Sequence, residues 1–184
     1  MNPQNFREVS SFIWSIANLL RGPFKQSQYG RIILPFTVLR RLEQALEPTR
    51  EAVLETKARL EQEDAIYRQE FPEGLSRDYI DNEYYKASGV NFYNISQFSL
   101  SNLGQGDIRA NLIAYLHSFP ASVREIFERF KFETFIDQLD SSNLLYRIVQ
   151  EFGVIDLSPD TLDNHEMGLV FEDLIRRFAE SSNE

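Results

Sequence analysis

Apolar residues recur every three or four positions along most of this 184-residue chain, which is the spacing of one face of an α-helix. The last segment is the most regular, because Met167, Val170, Phe171, Leu174 and Phe178 form a single apolar stripe. The same spacing recurs in residues 6–20, 29–46, 108–116, 123–130 and 144–152. The pattern predicts an all-α fold, built as an irregular multi-helix bundle.

Glycine is concentrated between residues 71 and 107, where four of the eight glycines of the chain lie among Asn, Ser and Tyr residues. Because Gly and small polar residues favour turns, we expect a small non-helical insertion around 71–107, with at most one short strand in GVNFYNIS. The side chains of Tyr84, Tyr85, Phe92 and Tyr93 are expected to form a local core beneath this insertion.

Proline interrupts the second helical pattern at Pro35. Because proline has no N–H, the carbonyl of Arg31 loses its usual helical partner. The sequence therefore predicts either a kink at Pro35 or a helix that begins there.

The sequence contains no recognisable catalytic, cofactor-binding or metal-binding arrangement. It has no cysteine, which excludes disulfides, thiolate metal sites and a Cys nucleophile, and which is compatible with a reducing cytoplasm. Its two histidines, His117 and His165, lack the spacing of a zinc site. The Gly-x-Gly between Leu103 and Asp107 follows no strand and lacks a lysine, so a plain turn with Asp107 as a helix cap is predicted.

Nothing in the sequence indicates a membrane segment. No apolar run approaches the length of about 18 residues that a membrane-spanning helix needs. The start, MNPQNFREVSS, lacks the basic region and apolar stretch of a signal peptide. We therefore expect no membrane partner and a cytoplasmic location.

Positive charge is concentrated near the N-terminus, although the whole chain has a net charge of -9. Residues 9–42 contain five basic residues and no acidic residue. If these cations face one way, they can contact phosphates, while the acidic remainder suppresses indiscriminate binding. If they face different ways, they are merely solvated. The candidate phosphate contacts are Arg21, Lys25, Arg31, Arg40 and Arg41.

The closing segment carries a more specific signal. It reads NLLYRIVQEFGVIDLSPDTLDNHEMGLVFEDLIRRFAESSNE, and it resembles the N-terminal helical domain of the methyltransferase (M) subunits of type I restriction-modification systems. The family pattern EMG-x-x-FE-x-LIRRF-x-E-x-x-NE corresponds here to Glu166-Met167-Gly168, Phe171-Glu172, Leu174 to Phe178, Glu180 and Asn183-Glu184. The stretches FIWSIANLLRG, YGRIILPFTVLRRLEQAL and NFYNISQFSL agree as well, so the resemblance covers most of residues 6–184 and is weakest around 50–80.

The resemblance implies that the helical domain spans residues 1–163, and that residues 164–184 form a bridging helix toward an S-adenosylmethionine-dependent methyltransferase domain absent from this sequence. The apolar stripe from Met167 to Phe178 is then expected to pack against that domain or another subunit. No cofactor is expected to bind the chain itself. The full subunit would use S-adenosylmethionine to methylate adenine N6 on a flipped base.

The resemblance also implies partners. These are a specificity subunit, a second methyltransferase subunit and double-stranded DNA in the assembled complex, while the presence of a restriction subunit is left open. The leading hypothesis is an assembly and DNA-clamping domain that is inactive as an isolated chain. The alternative is a free-standing helical module that docks onto protein and does not contact DNA.

Overall fold

Nine α-helices account for most of the part of the chain that the computed structural model describes, residues 3–182. Two 3₁₀ turns, Ala17–Leu20 and Glu47–Thr49, extend the first two helices. No β-strand occurs among the described residues, so the predicted all-α fold class is confirmed. The helices are α1 Pro3–Ile16, α2 Gln26–Leu46, α3 Arg50–Tyr67, α4 Arg77–Ser88, α5 Ile108–His117, α6 Ala121–Arg129, α7 Phe132–Ser141, α8 Leu145–Val154 and α9 Asn164–Ser182.

The description covers the backbone of residues 3–182 and the side chains of residues 6–182. The ends of the predicted ranges 1–163 and 164–184 therefore lie outside the described residues. The same holds for Asn183-Glu184, the last pair of the resemblance motif.

Helix α2 is the central element of the main core. Its buried Phe36 contacts Phe132 of α7 edge-to-face, with ring centroids 4.8 Å apart, and stacks on Phe152 of α8 at 5.3 Å. The helix begins at Gln26, well before the buried Pro35. The prediction that the helix begins at Pro35 was therefore wrong, because packing on several sides holds the chain helical through the proline.

The segment 71–107 is only partly non-helical, which corrects the expected insertion. Helix α4 lies within it, because the Ser76 side chain accepts a hydrogen bond from the Tyr79 N–H (3.2 Å) and caps the first turn. Gly89, with φ of 73°, ends the helix in the left-handed conformation that glycine tolerates best. The remainder, residues 71–76 and 89–107, is irregular and contains no strand.

Helices α3 and α4 form a hairpin with its own small core. Val53, Leu60, Tyr84 and Tyr93 are buried together, and the rings of Tyr84 and Tyr93 are 4.8 Å apart. This confirms the predicted aromatic cluster, except that Phe92 packs against the main core instead.

Helix α9 packs along α1 and α2 of the same chain. Met167, Val170, Leu174 and Phe178 are buried there, and Phe171 is half-buried against the same core. At one end the Phe178 ring lies 5.1 Å from Trp14, measured between centroids. The expectation that this stripe packs against another domain or subunit was wrong for the four buried side chains. The helical spacing correctly predicted that these side chains are buried. The surface that covers them, however, belongs to α1 and α2 of the same chain.

Candidate nucleic-acid interface

Three of the five candidate cations are exposed and available. Arg21 lies in the turn after the 3₁₀ helix, Lys25 directly precedes α2, and Arg31 lies in the second turn of α2. None of the three side chains makes a hydrogen bond or ion pair with another described residue. Lys25 is held through its backbone: its N–H donates to Gln28 Oε1 at 3.0 Å, and its carbonyl accepts from the Gln28 N–H at 2.9 Å.

The other two candidates, Arg40 and Arg41, serve the interior, which corrects the expectation that they face solvent. Arg40 Nε donates to the Ile155 carbonyl at 2.8 Å, and its Nη1 lies 2.6 Å from Glu43 Oε2. Two of the three guanidinium nitrogens of Arg40 are therefore committed within the protein, and its side chain is only 12% exposed. This position suits an internal contact better than a phosphate contact.

Arg41 is held more completely, with only 9% of its surface exposed. Its Nη1 donates to the carbonyls of Leu157 (2.9 Å) and Leu162 (2.6 Å), and its Nη2 donates to Asn164 Oδ1 (3.0 Å). Burial lowers the pKa of the guanidinium, and the Asp163 carboxylate opposes that shift. The side chain fastens the α8–α9 linker to α2.

Two of the exposed cations, Arg21 and Arg31, border a connected series of surface depressions. Arg21 lines one with Gln26, and Gln26 also lines the next, which reaches Arg31. Arg31 in turn lines a third depression, a cleft between α2 and the α6–α7 turn. Arg21 and Arg31 therefore belong to one continuous surface, as the phosphate-contact hypothesis required.

The third depression brings in two cations that sequence reasoning missed. Arg129 and Lys131 line it beside Arg31, and both are exposed without a described side-chain partner. The turn between α6 and α7 places them there, with Lys131 in the left-handed conformation at φ of 56°. Glu128 and Glu133 flank them in sequence and cancel their charge in any short window. The only local sequence feature that could have pointed to them is the pair of basic residues two positions apart, Arg129 and Lys131.

Other chemistry is lacking in the described part of the chain. No group of three or more residues suited to metal ligation occurs in residues 3–182. His117 pairs with Glu133 on the surface, and the Asp107 side chain caps α5 by accepting from the Ala110 N–H at 3.1 Å, as predicted. Within the same range no helix is both long enough and apolar enough to cross a bilayer.

Fold and surface together define a class: an all-helical domain with a group of exposed cations that have no described side-chain partner. Residues 9–152 match the family model described as the HsdM N-terminal domain. The chain belongs to this family, the N-terminal domains of type I restriction-modification methyltransferase subunits, which confirms the resemblance and implies a multisubunit complex. The match ends before α9 begins at Asn164. No curated protein and no solved structure matches the chain.

Proposed function

We propose that this domain clamps duplex DNA in an assembled type I methyltransferase, and that Arg21, Lys25 and Arg31 contact backbone phosphates. One observation carries the proposal: these three cations are exposed and lack described partners, and Arg21 and Arg31 border one connected surface. Contacts of this kind add affinity without reading sequence, which suits a domain that closes on DNA recognised elsewhere.

The charge balance supports a local contact. With a net charge of -9, most of the surface repels a polyanion, so attraction is confined to the cationic surface and binding is oriented. A chain with this net charge is expected to bind DNA weakly alone. It would bind usefully once other subunits hold it near the duplex.

The remaining parts of the proposal concern the assembly. Methyl transfer from S-adenosylmethionine to adenine N6 would occur in a separate domain, and this chain alone would be inactive. Target sequence would be read by a specificity subunit, with a second methyltransferase subunit completing the clamp and a restriction subunit joining in systems that also cleave. The location would be the cytoplasm.

The test compares two charge-removing double variants. In Arg21→Gln/Lys25→Gln the log–log salt slope of DNA affinity should flatten by about 1.8, at about 0.9 per lost phosphate contact. The matched control, Lys86→Gln/Arg147→Gln, also removes one Lys and one Arg that are exposed and unpaired among the described residues. The DNA affinity of both double variants is measured by fluorescence anisotropy with a labelled duplex between 50 and 200 mM salt. Equal slopes for the two variants and the parent chain would refute the clamp.

A second candidate function is protein docking without DNA contact. Helix α3 ends in exposed Ile66 and Tyr67, and Tyr67 stacks on exposed Phe71 with ring centroids 4.7 Å apart. An apolar tip of this kind favours a protein partner, for which we propose the specificity subunit. Ile66→Ser/Phe71→Ser should then weaken capture by that subunit at unchanged DNA affinity. Val154→Ser, which alters an exposed apolar residue on α8, is the control.

A further inference from the structure

We infer that the cleft between α2 and the α6–α7 turn seats a phosphodiester group of the DNA backbone, held by Arg31, Arg129 and Lys131. This inference rests on the proposed clamp and identifies its main contact point. It also adds two residues from a part of the chain far from the basic N-terminal segment.

The lining of the cleft is selective for an anion. Three cations and three neutral hydrogen-bonding side chains surround a volume of about 340 Å³, with Phe130 and Phe135 as the apolar wall. No carboxylate of the described residues lines it, although the chain contains 28 acidic residues against 19 Lys and Arg. The neutral polar residues are Gln28, Thr134 and Gln138.

The donors of the cleft are also uncommitted. Arg31, Arg129 and Lys131 have no side-chain partner among the described residues. Gln28 accepts the Lys25 N–H through Oε1, which leaves its amide NH₂ group to donate. An anion that enters the cleft would replace water at free donors and would break no existing ion pair, so little protein interaction is lost on binding.

The adjoining cavity is a poorer seat for phosphate, although it shares Lys131 and Thr134 with the cleft. It contains Arg124, whose buried Nε has no hydrogen-bond partner in the described structure. However, Glu128 and Glu133 line the same cavity and offset the charges of Arg124 and Lys131. Of these two sites, the cleft is the one whose lining is net positive.

The geometry favours a polymer backbone over a free anion. Arg31 lines both the cleft and the depression that leads back toward Gln26 and Arg21, so a strand seated in the cleft can continue along the exposed cations. Successive phosphates along one strand are then met by successive cations. A free phosphate ion would occupy the cleft alone.

The experiment compares Arg129→Gln/Lys131→Gln with Arg21→Gln/Lys25→Gln and with the control Lys86→Gln/Arg147→Gln. Each variant removes one Arg and one Lys, and all six side chains are exposed without a described partner. Duplex affinity of the whole chain is measured by anisotropy between 50 and 200 mM salt. For Arg129→Gln/Lys131→Gln, the cleft variant, the log–log salt slope should flatten by about 1.8. Its loss of duplex affinity relative to the parent chain should therefore shrink about tenfold between 50 and 200 mM salt.

The outcomes separate the inference from the proposed function. A flattened slope in the cleft variant with an unchanged control supports the inference. If only the Arg21/Lys25 variant is weakened, the clamp stands and the cleft is refuted, whereas no change in either refutes both. A second arm titrates inorganic phosphate against the Thr134 amide resonance. If phosphate shifts that resonance while the cleft variant keeps its duplex affinity, the cleft takes a free anion and the assignment to DNA is overturned.

Discussion

Replacing Arg41 with alanine tests the reassignment of this residue from DNA contact to internal anchor. Its guanidinium makes three hydrogen bonds, to the carbonyls of Leu157 and Leu162 and to Asn164 Oδ1. Hydrogen bonds from a charged group contribute about 1.5–3 kcal/mol each. Taking the low end for all three, and allowing about 1.5 kcal/mol of side-chain rotamer entropy regained on truncation, the expected destabilisation is about 3 kcal/mol.

The matched control is Arg31→Ala, because Arg31 lies on the same helix but is exposed and has no described partner. It should change the free energy of unfolding by no more than about 0.5 kcal/mol. Urea unfolding followed by far-UV circular dichroism measures both variants, at an unchanged m-value.

The effects on DNA binding should be the reverse. The log–log salt slope of DNA affinity should flatten by about 0.9 in Arg31→Ala and stay unchanged in Arg41→Ala. Equal stability losses for the two variants, or a flattened salt slope in Arg41→Ala, would show that the assignment is wrong.

Three further predictions concern stability. Gly153→Ala should destabilise the protein by about 1–2 kcal/mol, because the new Cβ would lie 3.0 Å from the Leu100 carbonyl oxygen. Gly168→Ala should stabilise it by about 0.5–1 kcal/mol, because a Cβ at that position meets nothing within 4 Å. Thermal unfolding should show a lower midpoint for the first variant and a higher midpoint for the second. Ser76→Ala should lower the free energy of unfolding by about 1 kcal/mol, because α4 loses its N-cap. Urea unfolding measures this change, and an unchanged stability would contradict the capping role. Burial raises the pKa of Tyr115 well above 10, so its stabilising contribution is present below pH 10 and is lost as pH rises toward the folded-state pKa. The alkaline limb of a stability–pH curve should be shallower in Tyr115→Phe, and identical limbs would contradict this.

Helix positions were predictable from the sequence because burial on one face imposes a local period. What covers each face was not predictable. Met167 and Leu174 read as a stripe in need of a partner, and nothing within a few residues of them shows that α1, at the other end of the chain, provides it. Periodicity reports that a side chain is buried and is silent on the covering surface.

Charge was misleading for a similar reason. Arg41 follows the buried Thr37 by four residues, which places it toward the inner face of α2. Its carbonyl partners, however, lie 116 and 121 residues further along the chain. Backbone carbonyls carry no residue-specific signal, so counting charges could not distinguish an anchored arginine from a free one.

Helix α4 was missed although its two end signals were present. Ser76 is a favourable N-cap, and Gly89 is the residue type that most often ends a helix in the left-handed conformation. The glycines and small polar residues around them were given more weight than these caps. The turn that brings Arg129 beside Arg31 could not be predicted, because the approach of α2 to the α6–α7 turn is set by tertiary packing.

Helix α2 connects the α8–α9 linker with the cleft at the α6–α7 turn. Its 21 residues make a rod about 30 Å long. Arg41, near one end, grips the linker from which α9 starts, while Arg31, near the other, stands at the cleft. A displacement of that linker would act on α2 through Arg41, and a rigid displacement of α2 would move Arg31 with it. Helix α2 would thereby link the position of the linker to the position of the proposed phosphate cleft.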